Sequence, residues 1–337
     1  MTMPATDAPL SILVVTAMYP HAEQPGSGAF VRHQVQGLQA LGHHVTVVHV
    51  RGYASKWQYV IGAMQVWRET WRRRYDVVHV HYGLTGLCAL LRWRAPLVVT
   101  LHGSDALHGT FQPFISRLVS RVASATVVVS EEIARRYPGT LIPCGVDLDT
   151  FTQQDRTRAR RELGWSVDGK IVLFPFDPDR RVKRHDIASA AVGLLSARGV
   201  PASLVAVWNV PNDRMPLYYS AADVMVLCSD SEGSPTSVKE ALACGLPVVS
   251  TDVGDVRSLM GDIAGTEICE QTASSVAEAL ARALTRPVGI PFHGRTAMQR
   301  FDQRATIASL IDVYRTVVRN SSRSSAFAAS RSRYGCS

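Results

Sequence analysis

Two glutamates, Glu232 and Glu240, stand eight residues apart in a polar loop and in the helix that is predicted to follow it. Ser234 is the predicted N-cap, and Pro235 suits the first helical turn because its missing N–H is not needed there. The backbone N–H groups and the positive helix dipole at such a start bind phosphate. The residues of this predicted phosphate-binding loop and helix start are Gly233, Ser234, Pro235, Thr236 and Ser237. The alternative is an ordinary capped helix with surface glutamates.

A basic segment follows the strand predicted at 170–176. It contains Arg180, Arg181, Lys183 and Arg184. Guanidinium and ammonium groups at a helix start neutralise a diphosphate leaving group as its charge grows. Which of Arg180 and Arg181 contacts the diphosphate stays open, and the alternative is a solvated basic helix start.

Two further candidates lie in the N-terminal half. The loop Gly26-Ser27-Gly28 lacks the third glycine of the dinucleotide fingerprint, which argues against a dehydrogenase, and on its own it is equally a flexible loop. His102 follows a predicted strand, at the end where doubly wound sheets bind ligands. The alternative for His102 is a hydrogen-bonded core residue.

Neither a metal nor a cofactor is predicted. The two D-x-D matches, at 147–149 and 177–179, are about what chance gives, and motif matches are often false. His79 and His81 share one face of a strand, but a metal site needs at least a third ligand. We therefore expect no essential metal, and no Ser/His/Asp or Cys/His set points to covalent catalysis.

Short apolar runs alternate with helix-length segments along the chain. Such strands with crossover helices predict an α/β fold with parallel sheets that are covered on both faces. The pattern restarts near residue 170, so we predict two doubly wound units with a boundary near 143–155 and a ligand cleft between them. A helical stretch follows at 295–319, and the Ser-rich tail at 320–337 is predicted to be disordered.

The composition suits two soluble domains. The chain has 337 residues, of which 46% are hydrophobic, and a net charge of +8. Three of its arginines lie in the last 18 residues, so the remaining charge is too thinly spread for a nucleic-acid partner. The sequence contains no run of 18 apolar residues, so no membrane span is predicted, and no signal peptide is recognisable. The six scattered cysteines suit a reducing cytoplasm.

A cluster of aromatic and basic residues occupies 57–76. Aromatic rings beside basic groups suit the surface of an anionic membrane. The alternative is a crossover helix with one core face and a solvated basic end, so peripheral membrane contact is left open. The residues concerned are Trp67, Arg68, Trp71, Arg72, Arg73 and Arg74.

The run from Glu232 through Glu240 to Gly245, Leu246, Pro247 and Val248 resembles the nucleotide-sugar site of retaining GT-B glycosyltransferases of the family 4 type. The resemblance implies that Glu232 contacts the donor sugar, that Glu240 contacts the ribose, and that residues 233–237 hold the diphosphate.

The same resemblance extends to the other candidates. It implies that Arg180 and Lys183 neutralise the leaving group and that His102 contacts the donor sugar or the acceptor. It also implies that the loop Gly26, Ser27 and Gly28 approaches the donor phosphates. The family commonly places its Arg and Lys five residues apart after a glycine. Here Arg180 and Lys183 are three residues apart and no glycine precedes them. This pattern resembles a cell-envelope polysaccharide subgroup of the teichuronic-acid type.

The resemblance implies a GT-B fold with two facing Rossmann-like domains and a deep interdomain cleft. Residues 1–148 would form the acceptor-side domain and 149–302 the nucleotide-sugar domain, with a helix at 303–319 packing back on the first. The implied activity is a retaining, metal-independent hexosyl transfer to a glycan, lipid-linked or small-molecule hydroxyl. A non-hydrolysing nucleotide-sugar epimerase and a catalytically silent binding protein remain alternatives. The donor base, the sugar and the acceptor stay open.

Overall fold

Two parallel β-sheets with covering helices make up the described part of the chain. The computed structural model describes residues 8–107, 109–261, 263–285 and 292–333, with side chains up to residue 322. Within these residues one structural unit comprises 8–19, 31–143 and 306–333, and the second comprises 20–30 and 144–305.

The sheet of the first unit has the strand order β2-β1-β3-β4-β5-β6, and every pairing is parallel. Its strands are β1 Ser11–Thr16, β2 His44–His49, β3 Val77–His81, β4 Leu97–Leu101, β5 Ala125–Val128 and β6 Thr140–Leu141. The helices between them are α1 Ala29–Ala40, α2 Trp57–Arg72, α3 Gly83–Gly86, α4 Phe111–Val122 and α5 Glu131–Ala134, with a 3-10 helix at Leu87–Leu91.

The sheet of the second unit has the order β11-β10-β9-β7-β8, again parallel throughout. Its strands are β7 Lys170–Phe174, β8 Ala202–Ala206, β9 Val224–Leu227, β10 Val248–Thr251 and β11 Glu267–Cys269. Its helices are α6 Arg156–Glu162, α7 His185–Ala197, α8 Met215–Ala221, α9 Thr236–Ala243, α10 Val256–Met260, α11 Ala273–Leu284 and α12 Gly294–Met298. Short 3-10 helices span Arg181–Lys183, Asn212–Arg214 and Gln299–Phe301.

Burial explains why these segments form strands. All residues of β3, β4, β9 and β10 are buried, because helices cover both faces of each sheet. The alternation of apolar strands and helices therefore predicts the α/β class correctly, and two doubly wound sheets are present.

The last helix, α13, spans Gln303–Arg333 and differs from the expectation for this region. Its backbone is helical over 320–333, where the Ser-rich composition predicts disorder. Neither Gly nor Pro interrupts 303–333, so nothing in this stretch breaks a helix. Within the first unit, the hydroxyl of Tyr314 on α13 lies 2.7 Å from Nδ1 of His79 on β3. Residues 334–337 of the predicted tail lie outside the described residues.

Candidate functional site

An ion pair between Lys183 and Glu232 lies at the carboxyl ends of two adjacent strands. Lys183 follows β7 and Glu232 follows β9, and Nζ lies 2.5 Å from Oε1. The backbone N–H of Asp230 donates to the carbonyl of Val182 at 2.9 Å, which joins the two loops. Loops at this end of a parallel sheet are where doubly wound folds bind ligands.

Lys183 is 7% exposed, and its ammonium nitrogen lies 4.2 Å from the ring centroid of Phe176. Burial lowers the pKa of Lys183, while the charge of Glu232 opposes that shift. A buried ammonium needs compensating contacts because its desolvation is costly. Glu232 and the face of the Phe176 ring supply them.

The arginines around Lys183 differ in their surroundings. Arg180 and Arg181 are exposed, and neither makes an ion pair with any described residue. The charge of Arg180 lowers the pKa of Lys183, so its guanidinium lies near that ammonium group. Arg184 instead pairs with Asp186 and Asp230. The basic segment predicted as a helix start is a 3-10 turn, and α7 begins only at His185.

The predicted N-cap at Ser234 is wrong. Helix α9 begins at Thr236 with Pro235 as its N-cap, and no side chain caps it. The Ser234 hydroxyl instead donates to Asp255 Oδ2 at 2.6 Å and accepts from Lys239 Nζ at 2.5 Å. Because its oxygen is engaged there, it does not satisfy the helix N–H groups.

Lys239 and Asp255 form a buried network beneath the loop 233–237. Lys239 is fully buried. Its Nζ lies 3.8 Å from Oδ2 of Asp255 and donates to the carbonyl of Cys144 at 2.8 Å. Burial lowers the pKa of Lys239 and raises that of Asp255, and the charge of each opposes the other's shift. This network holds the loop against the helix that follows it.

Glu240 has a separate set of partners. Its carboxylate accepts from the Tyr219 hydroxyl at 2.9 Å and from Asn212 Nδ2 at 3.3 Å. Burial raises the pKa of Glu240, and these hydrogen bonds oppose the shift. Oδ1 of Asn212 is buried and has no hydrogen-bond partner among the described residues. A buried polar atom without a partner marks a place where a ligand could bind.

The glycine loop lies beside the same region of the second unit. A Cβ atom at Gly26 would lie 3.2 Å from the carbonyl oxygen of Val210, two residues before Asn212. The backbone N–H of Ser27 donates to the backbone carbonyl of Gln24, and Gly28 has a φ of 62°. The loop is thus a set of tight turns whose backbone approaches Val210 closely.

Gly254 allows a second close approach. With a φ of 59°, it packs against the loop that carries Glu232, and a Cβ there would lie 2.6 Å from the oxygen of Gly233 and 2.8 Å from that of Glu232. Glycine adopts this conformation without steric cost, and here it also leaves room for the neighbouring backbone.

His102 belongs to the first unit, just after β4. Asp105 accepts hydrogen bonds from the backbone N–H groups of His102 and Gly103 through Oδ1 and from that of Gly83 through Oδ2. Nε2 of His102 lies 3.0 Å from Nδ1 of His81. Burial lowers the pKa of His102 well below its ordinary value, and that of His81 to about 3, so both rings are neutral near pH 7.

The D-x-D segments stabilise turns. Oδ1 of Asp147 accepts the N–H of Asp149, and Oδ1 of Asp177 accepts that of Asp179. No group of three or more potential metal-ligating side chains is found in the described part of the chain.

The structure brings together some of the predicted residues and adds others. Lys183, Glu232 and Arg180 lie near one another, while Glu240 faces its own pocket of polar side chains. Sequence reasoning missed several supporting residues of the second unit, which reach the site only through the fold: Phe176, Tyr219, Lys239, Gly254 and Asp255. In the sequence they stand within apolar or ordinary loop surroundings, so nothing distinguishes them.

Comparisons with known protein families match both halves of the chain. Residues 26–150 match the model of Glycosyltransferase Family 4, and residues 189–306 match that of glycosyl transferases group 1. Among curated proteins, TuaC of Bacillus subtilis (strain 168), whose name assigns it to teichuronic acid biosynthesis as a glycosyltransferase, is 28% identical. That match covers 93% of this chain and 100% of TuaC. A D-inositol 3-phosphate glycosyltransferase 2 of Catenulispora acidiphila is 30% identical over 71% of this chain and 70% of that protein.

Solved structures share the architecture. Sucrose-phosphate synthase from Thermosynechococcus elongatus superposes with a TM-score of 0.75 at 20% identity, covering 92% of this chain and 100% of that one. Anabaena Alr3699/HepE in complex with UDP gives a TM-score of 0.65 at 15% identity, covering 91% and 100%. At these identities the similarity establishes the fold.

Proposed function

The chain belongs to the family 4 glycosyltransferases and has the GT-B fold. We propose that it moves a sugar from a nucleoside-diphosphate sugar to a hydroxyl-bearing acceptor with retention of configuration. The observation that carries the proposal is the Lys183–Glu232 pair at the ends of β7 and β9. In this proposal the Lys183 ammonium would bind phosphate, and the neighbouring Glu232 carboxylate would bind sugar hydroxyls.

The positive charge is suited to a diphosphate. Lys183 and Arg180 lie on one loop, and α9 begins on the neighbouring loop at Thr236 and Ser237, where the first N–H groups of a helix lack intrahelical partners. We propose that these groups bind the donor diphosphate and stabilise the charge it gains as it leaves. Because these groups supply the charge, transfer is expected to proceed without an added divalent metal or other cofactor.

The two glutamates would bind the other two parts of the donor, its sugar and its ribose. Glu232 would accept hydrogen bonds from the donor sugar, and Glu240 from the ribose. The free Oδ1 of Asn212, beside Glu240, offers a further acceptor for the nucleoside. The loop of Gly26, Ser27 and Gly28 approaches Val210 in the same unit, which supports a contact between that loop and the donor.

In the proposed reaction, the acceptor oxygen attacks C1 of the donor sugar on the same face from which the leaving group departs. The acceptor oxygen forms a bond to C1 of the sugar, the bond from C1 to the phosphate oxygen breaks, and the acceptor proton passes to the departing diphosphate. The protein contributes positioning and charge stabilisation. His102, as a neutral ring, can donate or accept one hydrogen bond with a hydroxyl of the donor sugar or acceptor.

The acceptor class that we propose rests on one relative. The match to TuaC covers almost the whole chain, which favours a cell-envelope polysaccharide or its precursor as the acceptor. The five cysteines among the described residues are free thiols, which supports a reducing, cytoplasmic location.

A panel of nucleoside-diphosphate sugars tests the proposal. UDP-, GDP-, ADP- and dTDP-sugars are compared by thermal shift, where a donor that binds the folded state raises the melting temperature. The stabilising donor is then incubated with acceptor fractions, with and without EDTA, and release of the nucleoside diphosphate is measured. EDTA-resistant release that requires acceptor supports the proposal. Conversion of the donor sugar without acceptor would identify an epimerase, and binding without turnover would identify a silent binding protein.

A further inference from the structure

Helix α2 carries an apolar stripe that faces solvent. Its core side is formed by Gly62, Val66 and Thr70, which are buried. On the opposite side lies a second stripe at helical spacing, whose members are 39–74% exposed: Trp57, Val60, Ile61, Met64, Trp67 and Trp71. An amphipathic helix of a soluble domain normally places polar residues there. Apart from the contact of Trp71 with Trp93, the stripe therefore faces solvent in the described chain.

Helix α4 repeats this arrangement. Ile115 and Val119 face the core, while Phe111, Phe114, Leu118 and Val122 are 41–65% exposed. The residues at 90–94 link the two helices, since Trp93 contacts Trp71 with ring centroids 4.9 Å apart and Leu91 is 56% exposed. We call the surface made by the exposed sides of α2, residues 90–94 and α4 the α2–α4 face. Large exposed apolar patches of this kind mark interaction sites.

The α2–α4 face is also basic. Residues 51–122 contain ten Lys and Arg but only three acidic residues, Glu69, Asp76 and Asp105, and Asp105 is buried. None of these ten basic side chains makes an ion pair with a described residue. Arg68 and Arg72 flank the stripe of α2, and Arg117 and Arg121 lie beside that of α4.

We propose that the α2–α4 face docks on the surface of an anionic lipid bilayer, with both helices lying in the plane of the interface. Four tryptophans and two phenylalanines would enter the headgroup region, where amphipathic aromatic rings are favoured, and the arginines would contact anionic headgroups. No described helix is long and apolar enough to cross a bilayer. The proposal is independent of the reaction proposed above.

The distribution of charged and apolar residues favours an anionic bilayer over two other partners, a second copy of the chain and a nucleic acid. Pairing with a second copy through the same face would bring like charges together, which costs free energy. A nucleic acid would match the arginines but would leave the aliphatic part of both stripes, such as Val60, Ile61, Leu118 and Val122, without an apolar partner.

Vesicle co-sedimentation of the full chain tests the proposal. Vesicles of phosphatidylcholine alone are compared with vesicles of equal parts phosphatidylcholine and phosphatidylglycerol. We expect binding to the anionic vesicles, weaker binding to the neutral ones, and loss of binding as salt rises, because salt screens the headgroup charge.

Two double variants test the two helices separately. Trp57→Ser/Trp67→Ser on α2 and Phe111→Ser/Phe114→Ser on α4 are each expected to weaken binding about tenfold or more, because apolar burial drives insertion. The matched control is Leu41→Ser/Leu194→Ser, which removes exposed leucines elsewhere and is expected to bind like the unmodified chain. Equal melting temperatures show that each variant is folded.

Charge-reversal variants test how much the basic residues contribute to vesicle binding. Arg72→Glu/Arg73→Glu should weaken binding at least about twentyfold, since each basic residue near the surface contributes about fivefold. The exposed pair Arg158→Glu/Arg161→Glu is the control. The proposal is overturned if the unmodified chain fails to bind anionic vesicles or if both control pairs lose as much binding as the test pairs. It is also overturned if the chain forms a lipid-free dimer that the α2 variant dissociates.

Discussion

The ammonium nitrogen of Lys183 lies 2.5 Å from Oε1 of Glu232, and this buried ion pair joins the loops that follow β7 and β9. Lys183 is buried, and its pKa is lowered by that burial while Glu232 opposes the shift. The pair therefore stabilises the loops, and in the reaction proposed above it supplies the cation for the diphosphate and the carboxylate for the sugar.

The first prediction concerns the stability of this pair. Lys183→Met leaves Glu232 without its partner, and we expect the free energy of unfolding to fall by about 3 kcal/mol, as for other broken buried pairs. The double variant Lys183→Met/Glu232→Gln should lose clearly less than the sum of the two single variants. Urea denaturation of all four proteins measures this coupling. Strictly additive losses would show that the two groups do not interact.

The second prediction separates Arg180 from Arg181. The charge of Arg180 lowers the pKa of Lys183, which favours Arg180 as the residue nearer the proposed diphosphate site. We expect Arg180→Gln to lower kcat about 100-fold, because it removes charge stabilisation of the leaving diphosphate. Arg181→Gln, its exposed neighbour, is the control and should change kcat less than about threefold. The reverse order would assign the diphosphate contact to Arg181.

The third prediction concerns Gly254. Alanine there would place a Cβ 2.6 Å from the Gly233 oxygen, so the loop carrying Glu232 must shift. We expect Gly254→Ala to lower kcat/KM at least about tenfold, because small displacements of positioning groups are costly. Gly164→Ala is the matched control, since Gly164 has a similar φ of 67° but open space around it. If both variants lose activity equally, backbone strain rather than the clash explains the effect.

The fourth prediction is a pH dependence of stability. Burial lowers the pKa of His81 to about 3, so below about pH 6.5 the unfolded chain binds a proton at His81 that the folded chain does not. The free energy of unfolding should therefore fall with decreasing pH, and His81 contributes up to about 1.4 kcal/mol per pH unit. His79 and His102, whose pKa values are also lowered, act in the same direction.

The measurement compares the slope of unfolding free energy between pH 6.5 and 5 in the unmodified chain and in His81→Gln. The variant should show a shallower slope by about 1.4 kcal/mol per pH unit at most. His44→Gln, at an exposed position, serves as the control. An unchanged slope in His81→Gln would mean that His81 is protonated in the folded state.

The order of strands and helices could be predicted because it depends on local patterns. Runs such as Ile12–Val15 and Val224–Leu227 are apolar throughout, and burial between helices requires little else of a strand. Two local predictions failed for identifiable reasons. The Ser234 hydroxyl is engaged by Lys239 and Asp255, so it does not cap α9. The Ser-rich segment after 320 continues α13 because no Gly or Pro ends it.

The candidate site could be predicted only in part. The spacing of Glu232 and Glu240 is visible in the sequence, but their partners come from distant segments. Tyr219 stands inside the buried helix α8, and nothing in that pattern indicates a hydrogen bond to Glu240. In α2, both sides of the helix are apolar, so periodicity predicts the helix without revealing which stripe faces solvent.

The stereochemistry of the transferred sugar is the sharpest test of transfer with retention at Glu232. With the donor that stabilises the protein, proton NMR of the C1 signal distinguishes the anomers of the first product formed by the unmodified chain and by Glu232→Gln. We expect a product with the configuration of the donor, and loss of its formation in folded Glu232→Gln. An inverted product, or undiminished turnover in Glu232→Gln, would contradict it.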